Sequence, residues 1–369
     1  MPYKNMEKEM WEKQEPYEYW LANVSGIGNR TKRKLTDYAG TAQAVYEMSV
    51  KELEQLLPEN KVKKIEEARK GWDAEAKYRR FRESGINFVC LLQPSYPEKL
   101  AAIEDAPFAV YFYGDLPSDE VPSVAVIGAR QCSEYGRYMA QRCGGELAQA
   151  GVAVISGMAR GIDGISQNAA LKEGGKTYAV LGCGVDICYP AENRKIYEQM
   201  KTQGGIISEY SPGIQPKPQL FPPRNRIISG LSDVVIIIEA KEKSGTLITA
   251  DMALEQGKEV YVLPGRATDR LSEGCNRLIK QGAGILLSVP EMLEETGLCK
   301  RSRKQQINNV AGKEEGVMRY LDFYAKSIEQ LQEESRMEYR EIVCQLMSLC
   351  MEGRVRQVSA GHYQRTGII

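Results

Sequence analysis

The sequence predicts a doubly wound α/β domain over residues ~120–290, and three observations predict it. From residue ~123 onward, short apolar runs alternate with helical stretches. Most of the runs are continuous rather than alternating, as expected for strands covered on both faces. The segments that follow the runs are rich in Gly, Arg, Ser and Thr.

The runs are Val124–Ile127, Val152–Ile155, Tyr178–Leu181, Ile206–Ser208, Val234–Ile238, Val260–Leu263 and Ile285–Leu287. Helical segments at Tyr135–Gln149, Ile165–Lys172 and Leu247–Gln256 lie between them. Strand-helix alternation implies a mostly parallel sheet with right-handed crossovers. Two earlier runs, Asn87–Leu92 and Phe108–Tyr113, sit among Pro94, Pro97, Pro107 and Pro117 and read as edge strands leading into the core.

The flanks differ from this core. Residues 1–83 read as helical, with Gly26-Ile-Gly28 as a tight turn between apolar segments. That pattern resembles a helix-hairpin-helix, whose backbone N–H groups suit a DNA phosphate, with Arg30, Lys32, Arg33 and Lys34 following. A helical packing module with a glycine turn is the competing reading. After the core (84–298), a polar linker at 299–312 opens with Lys300-Arg-Ser-Arg-Lys304. Residues 313–369 read as helices at ~314–324, ~327–334 and ~337–351, then a β-wing around Gly361, a winged-helix pattern. The recognition-helix candidate carries Glu338 and Glu341 beside Arg336 and Arg340, which favours protein contact or packing over a duplex groove.

Bulk composition excludes several classes. Lys+Arg and Asp+Glu both number 49, so bulk charge makes no case for nucleic acid. Nine cysteines form no CxxC pair and no zinc-spaced cluster, so reduced, mostly buried thiols and no metal are expected. The single histidine, His362, excludes catalysis by several histidines. No apolar run approaches a membrane span, and the first residues lack a signal-peptide stretch, so a cytoplasmic location is expected.

In an open α/β sheet, ligands bind beyond the carboxyl ends of the strands. The loops there are Gly128-Ala129-Arg130, Ser156-Gly157-Met-Ala-Arg160-Gly161-Ile-Asp163, Gly182-Cys-Gly-Val-Asp186, Glu239 through Ser244-Gly245-Thr246, and Pro264-Gly-Arg266. Any one is ordinary turn geometry; five on one face point to a phosphate-bearing ligand. There is no Gly-x-Gly-x-x-Gly after the first core strand and no Walker loop, which removes support for dinucleotide and NTP readings. Phe221 precedes Pro-Pro and then Arg224-Asn225-Arg226. One ring beside two guanidiniums suits single-stranded nucleic acid, against a packed Phe with an arginine pairing inside the protein.

At these residues the chain resembles the DprA/Smf family of DNA-processing proteins. The matching stretches are Val126-Ile-Gly-Ala-Arg130, Ser156–Asp163, Val180–Asp186 with Tyr189-Pro190, Phe221–Ile228, Ser244–Thr246, and Ser272-Glu-Gly-Cys-Asn276 with Gly282-Ala283. The resemblance implies a Rossmann-like core, an N-terminal helix-hairpin-helix or SAM-like module and a C-terminal winged-helix-like domain. It implies a non-enzymatic, cofactor-free protein that binds and protects single-stranded DNA. Such a protein helps load the RecA recombinase during natural transformation and forms a homodimer through the Rossmann-like domain. It assigns DNA contact to Gly128, Ala129, Arg130, Ser156, Gly157, Arg160, Gly161, Phe221, Arg224, Asn225, Arg226, Ser244, Gly245, Thr246 and Asn276. Two positions depart from the family pattern: Ala129 stands where serine is common, and Gln167 where histidine is usual. The alternative is a Rossmann-like hydrolase of the N-glycosidic bond of a nucleoside monophosphate, with Asp163, Asp186 and Glu239 as candidate carboxylates.

Overall fold

Strands form where the apolar runs predict them. A computed structural model describes residues 13–298 and 316–367. The linker expected at 299–312 lies outside the described residues. Along the chain come helices α1 (13–22), α2 (Asn29–Ala39), α3 (Ala42–Glu47), α4 (Val50–Leu56), α5 (Glu59–Arg69) and α6 (Ala74–Arg82). Then follow β1 (Asn87–Cys90), α7 (Glu98–Ala101), β2 (Ala109–Gly114), β3 (Ser123–Gly128), α8 (Glu134–Gln149), β4 (Ala153–Ser156), α9 (Ile162–Lys172) and β5 (Thr177–Val180). Next are α10 (Arg194–Met200), β6 (Gly204–Ser208), α11 (Phe221–Gly230), β7 (Val234–Ile238), α12 (Gly245–Glu255) and β8 (Glu259–Val262). The last elements are α13 (Glu273–Lys280), β9 (Gly284–Ile285), α14 (Val289–Glu295), β10 (Lys326–Ser327), α15 (Ile328–Ser335), α16 (Tyr339–Met351), β11 (Val355–Ser359) and β12 (His362–Arg365).

The chain divides into two units, residues 1–120 with 178–231 and residues 121–177 with 232–369. These bounds differ from a single core at 84–298, because the chain leaves the first unit after β2 and returns to it at β5. In the first unit the strand order is β1-β2-β6-β5. Here β2 runs antiparallel to both β1 and β6. The N-terminal helices bury an aromatic cluster, with Tyr19 stacked on Phe81 at 4.7 Å and edge-on to Phe88 and Tyr111. Glu18 is only 1% exposed beside this cluster, and Gln93 donates to its carboxylate.

In the second unit the order is β4-β3-β7-β8-β9. The pairs of β3 with β4 and β7, and of β8 with β7 and β9, are parallel. The fold is thus mixed α/β with a mostly parallel sheet. Val124, Val126, Val234, Ile236 and Ile238 pack against Met139, Ala140, Cys143 and Leu147 of α8. Helices α8 and α9 approach closely at Gly144, where a Cβ would stand 2.1 Å from the Ser166 carbonyl oxygen.

The last strands form a separate sheet, β10-β12-β11. The helix expected at ~314–324 is reduced to a 3-10 turn over Gly316–Tyr320. Asp322 accepts the Tyr324 N–H at 2.7 Å, a local turn that competes with helix continuation. This tail packs on the start of α8: Phe323 lies 5.4 Å from Tyr135 and 5.2 Å from Tyr138, and Arg365 stacks over Tyr138. The eight described cysteines are free thiols, and among them only Cys344 is exposed. Burial pushes the Cys143 thiol up to about 12.

Candidate nucleic-acid interface

In the second unit the glycine loops brace one another. Gly128 ends β3 beside β7, and a Cβ there would stand 1.8 Å from the Ile238 carbonyl oxygen, so only glycine fits. The next carbonyl, Ala129, accepts the Ile162 N–H at 3.2 Å. Gly161 has φ +73° and would bring a Cβ within 2.3 Å of that same oxygen. The loops after β3 and β4 are therefore locked together at Ala129 and Gly161. Arg130 and Arg160 flank the lock, and both are exposed. Helix α9 begins here without a side-chain cap; loop carbonyls serve its first turn instead, Ala129 accepting the Ile162 N–H and Ala159 the Gly164 N–H at 3.0 Å.

Buried polar groups hold this edge from behind. Ser156 is buried and donates to the Val126 carbonyl at 2.7 Å, so its hydroxyl ties β4 to β3. The Gly157 N–H donates to Asp163 at 3.1 Å. Ser133 donates both its N–H and its hydroxyl to the Glu239 carboxylate. Gly136 makes room for that carboxylate, since a Cβ would meet Glu239 Oε2 at 2.3 Å. Met158 and Glu239 both have positive φ, 52° and 56°, in the loops after β4 and β7. Strained backbone of this kind collects at functional sites. Ser244 caps α12 by accepting the Thr246 N–H at 3.2 Å, Gly245 is exposed and Thr246 is buried. Asn276 brackets the loop after β8, donating to the Gly265 carbonyl at 3.0 Å and accepting the Gly265 N–H at 3.3 Å.

The first unit treats its arginines differently. The Phe-Pro-Pro segment starts α11, with proline in the first turn where its missing N–H is harmless. Arg224 is 5% exposed. It donates to the Val180 carbonyl and to Asn225 Oδ1 at 3.2 Å. Arg226 is 8% exposed. It forks onto Glu209 at 2.6 and 3.2 Å and reaches the Asp105 carbonyl at 2.8 Å. Sequence spacing places both guanidiniums toward a ligand; the structure gives each an internal acceptor. No local signal names Glu209, which lies 17 residues away at the end of β6. Asp186, the remaining carboxylate of interest, accepts the Gly213 N–H at 2.9 and 3.0 Å.

Three of the basic residues that follow the Gly26–Gly28 turn also have partners within the protein. Lys32 is buried and donates to the Ala22 carbonyl, and burial pulls its ammonium down to about 8. Arg30 pairs with Glu104 at 2.7 Å and Lys34 donates to the Leu56 carbonyl at 3.1 Å. Arg33 is exposed.

A mostly parallel sheet whose strand ends carry braced glycine loops and exposed arginines defines a Rossmann-like α/β protein, the class whose ligands sit beyond the strand ends. The chain belongs to the family of DNA recombination-mediator protein A, whose profile matches residues 87–297. It is 42% identical over 205 residues to DNA processing protein DprA of Streptococcus pneumoniae, covering 56% of this chain and 72% of that protein. It is 32% identical over 301 residues to Protein Smf of Synechocystis, covering 78% of this chain and 75% of that one. The crystal structure of the pneumococcal DprA superposes with a TM-score of 0.69 at 34% identity, covering 76% of this chain and 97% of that one. The Helicobacter pylori protein gives 0.51 at 31% identity, covering 57% of this chain and 94% of that one. Its structure is described as giving insight into a unique single-stranded DNA binding mode.

Proposed function

We propose that this protein binds single-stranded DNA by its backbone and does so without turning over a substrate. The observation that carries the reading is the locked pair of loops after β3 and β4, which sets the exposed Arg130 and Arg160 on one strand-end edge. Backbone N–H groups and guanidiniums grip phosphates without reading sequence. Membership in the family, with a member described as binding single-stranded DNA, supports the same ligand. Gly128, Ala129, Gly161 and Gly245 supply close backbone approach in this reading, while Gly157, buried with its N–H on Asp163, braces the loop. Ser156, Ser244, Thr246 and Asn276 fix the loops. Phe221 offers a ring, and Arg224, Asn225 and Arg226 set its position.

The wider role we propose is protection of incoming single strands and loading of a RecA-type recombinase during natural transformation, in the cytoplasm. It rests on the family resemblance. Homodimerisation through the Rossmann-like domain belongs to the same proposal. Exposed Ile248 and Leu254 on α12 and Ile285 and Leu287 at β9 support it. We read the N-terminal helices as a helix-hairpin-helix or SAM-like module. The tail we read as a winged-helix-like domain with a partner other than the duplex. No described helix is long and apolar enough to cross a membrane.

The hydrolase reading asks for a carboxylate poised beside a phosphate. Asp163, Asp186 and Glu239 each accept hydrogen bonds from loop backbone or from Ser133, which favours bracing over catalysis. The deciding experiment titrates the full chain with single- and double-stranded oligonucleotides between 50 and 300 mM salt, alongside base release from AMP. Tight, salt-sensitive binding of the single strand with no base release is expected. Base release abolished by Glu239→Gln would instead establish the enzyme.

A further inference from the structure

Phe221 is the ring the sequence singles out, yet it is half-buried. Part of its surface lies against Gly182, where a Cβ would stand 2.7 Å from Phe221 Cδ1. The Arg224 guanidinium lies 5.8 Å from its centroid. A second ring, Tyr189, sits 5.6 Å from Phe221 with the two planes 30° apart. Tyr189 is 45% exposed. Of the two rings, Tyr189 therefore carries the open surface.

The segment that presents Tyr189 is fixed. It follows the loop beyond the carboxyl end of β5, and the Tyr197 hydroxyl donates to the Val185 carbonyl within that loop. Asp186 holds the same loop through the Gly213 N–H. A ring on an ordered support loses little conformational freedom when a base settles on it. A tilted pair of rings whose outer member is 45% exposed leaves aromatic surface for a third π-system. A tyrosine that merely covered Phe221 would also be exposed, so the two roles must be separated by a ligand that lacks bases.

We propose that Tyr189 is a stacking platform for a nucleobase of single-stranded nucleic acid and forms a two-ring step with Phe221. The inference rests on the binding function above and adds a residue and a contact to it. Stacking is sequence-tolerant, because every base has a π-face. The step therefore discriminates single strands with bases from those without, rather than one base from another.

The test measures fluorescence anisotropy of the full chain with a thymidine oligonucleotide and with an abasic strand of equal length. Tyr189→Ala is expected to weaken the thymidine complex about ten-fold and to leave the abasic complex within about two-fold. Tyr189→Phe, which keeps the ring, should bind like the parent. Tyr189→Leu keeps apolar cover over Phe221 without the ring and should bind like Tyr189→Ala; it serves if the alanine variant folds poorly. Equal loss on both strands, or unchanged thymidine binding, overturns the platform while the parent's binding stands. A parent that binds no single strand overturns the proposed function itself, and the platform with it.

Discussion

The two units hold their motif arginines at different depths. In the second, Arg130 and Arg160 stand exposed on either side of the Ala129–Gly161 lock. In the first, Arg224 and Arg226 are buried and donate to a strand carbonyl and to Glu209. Both pairs sit in glycine- or proline-bearing segments, Arg130 and Arg160 just after strand ends and Arg224 and Arg226 in the first turns of α11. The difference lies in where each guanidinium ends up. A forked ion pair in poorly solvated surroundings holds structure. An exposed guanidinium keeps the planar fork that matches a phosphate within reach of solvent. An arginine in a motif thus declares a role only when its acceptor is known.

The largest expected effect tests the first half of that contrast. Arg226→Ala would strand the Glu209 carboxylate, whose side chain is 12% exposed, without its counter-ion. Removing one partner of such a pair costs about 3 kcal/mol or more. Urea denaturation should show that loss, while Arg226→Lys, which keeps charge but not the fork, should fall between. A loss below about 1 kcal/mol would mean that Arg226 is not a structural bolt.

The same unit holds a buried charge of a different kind. Burial raises the Glu18 carboxyl from its usual 4.5 to about 7, with the Gln93 bond pulling the other way. The folded state then holds this proton more tightly than the unfolded chain. Between about pH 4.5 and 7 it binds more protons, so stability falls as pH rises through that window and stays lowered above it. Glu18→Gln should stabilise the protein by on the order of 2 kcal/mol at pH 8 and by nearly nothing at pH 4. Melting curves at the two pH values check the sign. Set beside Arg226, this separates buried charge that stabilises through a forked partner from buried charge that does not.

Much of the fold was legible. Six of the seven core runs became strands, and the seventh, Ile285–Leu287, keeps only Ile285 in the two-residue β9; continuous apolar segments between polar helices have few other uses. The glycine loops were legible for a similar reason: Gly128 and Gly161 mark places where a side chain cannot fit. What sequence could not show was long-range. Ser156 reads as a ligand donor until β3 lies beside β4 and takes its hydroxyl. Lys32 reads as part of a basic face until the hairpin closes over it. The interleaving of the two units depends on β6 and β5 standing beside β2, and strand order has no local signature. Tyr189 was within the matching stretch, but its ring gains meaning only from Phe221, 32 positions on.

A smaller effect is expected at the lock. Gly161→Ala forces a side chain into φ +73° and toward the Ala129 oxygen. A loss of about 1–2 kcal/mol is expected in urea, together with weaker single-strand binding, because Arg130 and Arg160 both hang from this contact. Stability lost with binding intact would detach the lock from the interface.

The smallest effect on stability should come from Arg130→Ala, and it completes the comparison. An exposed loop side chain contributes within about 0.5 kcal/mol to folding. If Arg130 neutralises one phosphate, its removal flattens the slope of log K against log salt by about 0.7. Arg226→Ala, measured where the variant is still folded, should leave that slope unchanged. The two arginines are thus predicted to exchange places between the two measurements, one visible only in urea and the other only in salt. If Arg130→Ala were the costly variant in urea and Arg226→Ala the one that flattened the slope, the roles assigned to the two units would have to be reversed.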